Sequence, residues 1–77
     1  MSVSSVVSID TIYTIRVDDA SSTVTYVGEA AINSSDSLPV WRIKKLESLG
    51  TILAIRWADG NQNFDNIWDN RVSLTYT

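Results

Sequence analysis

The feature that most limits what this chain can fold into is a two-residue rhythm of apolar side chains, with helical spacing hard to find. Tyr13, Ile15 and Val17 fall on one side of an extended chain, and Thr14, Arg16 and Asp18 on the other. That alternation marks a half-buried strand. Residues 23–30 repeat it, with Val24, Tyr26 and Gly28 on one face. Between the two runs, Asp18-Asp19-Ala20-Ser21-Ser22 is turn chemistry, because Asp and Ser side chains bond the neighbouring backbone. The pair reads as an antiparallel hairpin.

Residues 31–39 have no strand character. Asn33-Ser34-Ser35-Asp36-Ser37 is a polar loop and Pro39 holds Leu38 extended, so this is the expected variable, exposed loop. Residues 40–48 form a third strand, with Trp41 and Ile43 on one face and Arg42 and Lys44 on the other. Leu46 breaks that parity and predicts a bulge or twist near Lys44-Lys45. Leu49-Gly50 makes a turn. Residues 51–58 are apolar on both parities apart from Arg56, which predicts a central strand. Asp59-Gly60 is a turn dipeptide. Phe64, Ile67 and Trp68 recur at helical spacing and predict a short helical or 3₁₀ turn near residues 64–70, capped by Asn63. Residues 71–77 close the chain as a last strand with Val72, Leu74 and Tyr76 inward. The expected fold is all-β, a small single-domain sandwich or barrel of about five to six mainly antiparallel strands. It spans residues 1–77, with residues 1–9 as an extended arm or edge strand.

Composition narrows the function. A chain of 77 residues holds one domain, and at that size it buries only ~60% of the surface its unfolded form exposes. Small domains compensate with disulfides, metals or association. Having neither cysteine nor histidine, this one has no disulfide, no thiolate metal site and no imidazole base. Oligomerisation is the expected support. A net charge of -3 argues against a nucleic-acid partner, which needs clustered cations. No signal-peptide pattern precedes the domain and no apolar run approaches the ~20 residues that cross a bilayer, so no membrane partner is expected. There is no glycine-rich phosphate loop. The carboxylate pairs Asp18/Asp19 and Asp65/Asp69 fall in turns where solvent keeps both members ionised. Neither catalytic residues nor a cofactor are expected, and the chain does not read as an enzyme.

One run, residues 57–71, is neither ordinary strand nor ordinary loop: Trp57, Phe64, Ile67 and Trp68 are interleaved with acidic and amide side chains. It reads as a plug that folds back on a small core. Those four side chains would be its anchors, with Asp59, Asn63, Asp65, Asn70 and Arg71 satisfying polar groups. Asp59, Asn61, Asn63 and Asp65 also match the first half of a calcium loop. The sixth position is Phe64 instead of glycine and the twelfth is Asn70 instead of glutamate. Asx chemistry holding a long turn is therefore favoured over a weak calcium site. Trp57 and Trp68 are the expected buried pair, and Trp41, following the polar loop, the expected contact residue. An alternative function follows: Trp41 and the 31–38 loop gripping a host glycan by ring stacking. Arg42, Lys44 and Lys45, the one basic cluster, read as guards of an edge strand or as partners for Glu29 or Glu47.

Three segments also carry a resemblance. Thr25-Tyr26-Val27-Gly28-Glu29-Ala30-Ala31, Trp41-Arg42-Ile43-Lys44-Lys45 and the closing run 57–76, from Trp57-Ala58-Asp59-Gly60-Asn61-Gln62-Asn63-Phe64 to Leu74-Thr75-Tyr76, resemble a family of small tailed-bacteriophage proteins. The match covers residues 23–77, and the closing run is its specific part. It implies a structural, virion-associated subunit such as a capsid-decoration, tail or fibre module. Its partners would be copies of itself and other virion proteins. Its location would be the virion, or the host cytoplasm before assembly. It carries no catalytic residues. Strand addition by residues 2–9 to a neighbouring copy is one way such a subunit would assemble.

Overall fold

The structure is a computed structural model that describes residues 12–77. The proposed arm, residues 1–9, lies outside the described residues. Five strands form in chain order: β1 (Tyr13–Asp18), β2 (Val24–Ala31), β3 (Pro39–Leu49), β4 (Ile52–Trp57) and a two-residue β5 (Asn66–Ile67). One 3₁₀ turn follows, Trp68–Ser73. The first four strands make an antiparallel sheet in the order β1-β2-β3-β4. The all-β expectation holds.

The path after β4 organises the rest. β4 pairs with one edge of β3 as far as Trp57 opposite Lys44, and the Ala58 amide still donates to the Ile43 carbonyl at 2.9 Å. The chain then leaves in a loop, residues 59–65, and rejoins the same edge of β3 as β5, with Asn66 opposite Trp41. β5 thus continues β4's track after an excursion. From β5 the 3₁₀ turn crosses beneath the sheet toward β1, where Arg71 meets Asp18 at 2.9 Å. The tail then returns, pairing Tyr76 with Ala58 and bonding Asp59 N to Thr75 O at 2.7 Å.

This crossing covers one face of the sheet. Tyr26, Ala30, Trp41, Ile43, Ala58 and Trp68 form the buried core, with Val24, Leu74 and Tyr76 packed against it. Trp41 and Trp68 lie with ring centroids 5.9 Å apart, and each withdraws enough surface to contribute roughly 4 kcal/mol. Gly28 lets them in. A Cβ there would lie 2.5 Å from Cε3 of Trp68 and 3.1 Å from Cε3 of Trp41.

Several expectations need correction. The 3₁₀ turn begins at Trp68, with extended Ile67 at its N-cap and no side-chain cap, so Asn63 does not cap it. Residues 71–77 are not a strand: 3₁₀ turn gives way to an extended tail, and Val72 points to solvent at 69% exposure. No bulge interrupts Lys44-Lys45. Register runs unbroken there, the irregularity falls between Pro39 and Trp41, and Leu46 simply faces the other side. Among the described residues β4 is an edge strand. Its two apolar parities do not reflect burial by neighbours.

Candidate interaction surface

The covered face consumes most of the polar chemistry near it. Trp41 is fully buried, and its indole N–H donates to the Ser35 carbonyl at 2.9 Å. Asp69 N donates to Asp36 O at 3.1 Å. The 32–38 loop is thereby tied both to the core and to the 3₁₀ turn. The expected assignment of tryptophans is reversed in one member: Trp41 and Trp68 are the buried pair, and Trp57 is only half-buried. A fully buried indole cannot stack on a sugar ring, so the glycan platform built on Trp41 loses its central residue.

Two arginines close the rim of this core. Arg71 Cζ stands 4.6 Å over the Trp68 ring, and Arg16 Cζ 5.7 Å from the Trp41 ring. Arg71 is held by Asp18, while Arg16 Nε lies 3.2 Å from Asp36 Oδ1. β1 therefore turns its polar parity, Arg16 and Asp18, toward the closing segment. Its apolar parity, Ile15 and Val17, faces away and is exposed. Tyr76 donates its hydroxyl to Arg71 O at 2.7 Å. Burial first, then the neighbouring Tyr26, pushes the Tyr76 phenol well above the ordinary tyrosine value.

On the opposite face the sheet carries a charged middle and apolar flanks. Ladder partners share a face, which places Val17, Val27, Lys44 and Trp57 in one row and Thr25, Leu46 and Ile55 in the next. Arg42 pairs with Glu29 at 2.8 Å, as the basic cluster led us to expect of one of its members. Phe64, carried round by the 59–65 loop, stacks on Tyr13 at 5.7 Å and lies 4.8 Å from Arg42 Cζ. An open apolar hollow of about 400 Å³ adjoins this cluster, lined by Ile12, Tyr13, Ala31, Ile32, Val40 and Phe64.

The closing-segment anchors therefore separate. Trp68 is buried under the sheet, Ile67 and Trp57 are half-buried, and Phe64 clasps the other face. Arg71 pairs with Asp18.

The calcium half-motif is taken up by a turn. Asp59 and Gly60 both have positive φ, as a type I′ turn demands, and Asn61 N reaches Ala58 O at 3.4 Å. Asn61 Oδ1 accepts from Asn63 N at 2.9 Å, and Asp65 Oδ1 accepts from Asn66 Nδ2 at 3.3 Å. Among the described residues no three His, Cys, Asp or Glu side chains gather as metal ligands.

Sequence reasoning placed the two strands and the turn of the β3–β4 hairpin but missed its exposure. Beyond the reach of the closing segment it exposes Leu49 and Ile52 on one face and Leu53 and Ile55 on the other. Apolar residues on both parities of a strand fit a rim position as well as a central one, and period alone does not separate the two. No family profile, curated protein or solved structure matches this chain.

Proposed function

We propose that this protein is a non-enzymatic assembly subunit that works through protein–protein contact, a virion-associated component of a tailed bacteriophage. One observation carries the assembly part. The closing segment covers a single face of the sheet and stops short of the β3–β4 hairpin, whose Ile52, Leu53 and Ile55 stay 65%, 54% and 53% exposed. A domain this small has little core to spare, and leaving its most apolar strand in water is costly unless another chain covers it. The phage context rests on the resemblance over residues 23–77 and narrows the role to a capsid-decoration, tail or fibre module.

The test is native mass at micromolar concentration, followed by probing purified particles for the protein. The expected result is a mass above that of one chain and co-purification with particles. A monomer missing from particles would remove the proposal. A glycan array is expected to be silent.

A further inference from the structure

We infer that β4 is a self-pairing edge: a second copy adds its own β4 antiparallel, joining two four-stranded sheets into one across a two-fold axis. The inference rests on the assembly reading above and specifies its partner and geometry.

The first argument is main-chain chemistry. Among the described residues β3 is the one strand that β4 pairs with, and the outward N–H and C=O groups of Leu53 and Ile55 have no ladder partner. At the end of the strand the Trp57 carbonyl is already taken by Thr77 N at 3.3 Å and Gly60 N at 3.1 Å, so the free edge ends short of Trp57. Edges of this kind are normally blunted by proline, a bulge or inward charge. Ile52-Leu53-Ala54-Ile55-Arg56-Trp57 has no proline, and its register with β3 is unbroken.

Charge is the second argument. Arg56 is the single charged residue of β4, and its Nη1 lies 3.1 Å from Glu47 Oε1 on β3. Two copies can approach without bringing unneutralised like charges together. The middle of the open face, with Lys44 between Val27 and Trp57, offers no such freedom. Face-to-face stacking would bury that ammonium, so edge pairing is favoured over a sandwich of two sheets.

Symmetry then selects a register. A two-fold perpendicular to the sheet keeps each face on its own side, so opposed residues must share parity. Centring on Ala54, the smallest side chain of the strand, sets Leu53 of one copy opposite Ile55 of the other on the open face. Ile52 then lies opposite Arg56 on the covered face, against the aliphatic stem of that arginine. Ile52, Leu53 and Ile55 each offer on the order of 100 Å². Both copies together withdraw roughly 600 Å² through these side chains alone, about half of the ~1,200 Å² at which standard specific interfaces begin. The expected dimer is weak, micromolar, and suited to reinforcement by other contacts in a particle.

The experiment is sedimentation equilibrium from micromolar to sub-millimolar concentration on the full chain and four variants. Leu53→Lys and Ile55→Glu replace exposed side chains, and circular dichroism checks that each still folds. Each alone is expected to weaken dimerisation at least tenfold. An equimolar mixture of the two should recover it, because the register puts Lys opposite Glu. Val17→Lys, on the far flank of the same face, should leave the dimer unchanged. A dimer indifferent to both β4 substitutions, or one lost on deleting residues 1–8 instead, overturns β4 pairing and leaves the assembly reading standing. A chain that is monomeric throughout yet still co-purifies with particles does the same. A monomer that also fails to co-purify defeats both.

Discussion

The six-membered ring of Trp68 rests directly on Gly28, so close that the smallest added side chain would overlap it: a Cβ on Gly28 would lie 2.5 Å from Cε3 and 2.7 Å from Cζ3 of the indole. The contact joins the middle of β2 to the start of the 3₁₀ turn, far apart in sequence, and sets how deeply the closing segment seats. Gly28→Ala is therefore expected to push the indole off the sheet and lower stability by about 1–3 kcal/mol. A reduced urea midpoint, with a redder tryptophan emission as an indole becomes wetter, would be the readout. An unchanged midpoint would mean the ring does not seat there.

The Asp18–Arg71 pair is a partly exposed ion pair and deserves a modest number. Its coupling in a double-mutant cycle is expected at about 1 kcal/mol or less, falling with added salt. Arg71→Ala should cost more than Asp18→Ala, because the arginine also stacks on Trp68 and donates to Trp68 O at 3.2 Å. Equal costs would argue that the stacking contributes nothing.

Trp41 and Trp57 exchange the roles that their positions in the chain suggest, and paired substitutions will measure it. Trp41→Phe keeps a ring in the core but deletes the N–H that holds Ser35. The expected cost is about 2 kcal/mol, from the lost bond and the unfilled volume, together with faster amide exchange across residues 32–38. Trp57→Phe should cost well under half as much, since that ring is already half in water.

Tyr76 sets the alkaline limit. Its phenol holds its proton more tightly folded than unfolded, so the sign is that of a raised pKa. The stabilisation is complete below the ordinary tyrosine value of about 10 and declines as pH rises beyond it. Melting temperature is expected to fall above pH ~10, and Tyr76→Phe should flatten that fall. A wild-type profile no steeper than that of the variant would refute the assignment.

For the turn at residues 59–65, Asn61→Ala removes the acceptor for Asn63 N and should cost about 1 kcal/mol. Millimolar calcium should leave the melting temperature of the wild type where it is. A calcium-dependent rise would revive the half-motif.

What was legible in advance is local. The β1–β2 hairpin, the placement of Trp41 and Ile43 on one side of β3 and the Asp59-Gly60 turn follow from period and turn chemistry, because each depends on residues within one or two turns of chain. The pairing of Arg42 with Glu29 was accessible for a related reason, since adjacent antiparallel strands bring side chains of opposite sign opposite one another.

The chain's order of residues settled that it would be a sheet and which residues would share each face. It could not say which face would be covered. That was decided when the backbone left β3's edge at Ala58, rejoined it at Asn66 and carried Trp68 and Tyr76 beneath β2, a route that no short window of sequence encodes. The same route explains why β1 points its arginine inward, why Trp41 is buried, and why the most apolar strand lies at the rim. Periodicity records the two faces of a strand, whereas burial depends on what long-range contacts bring against them.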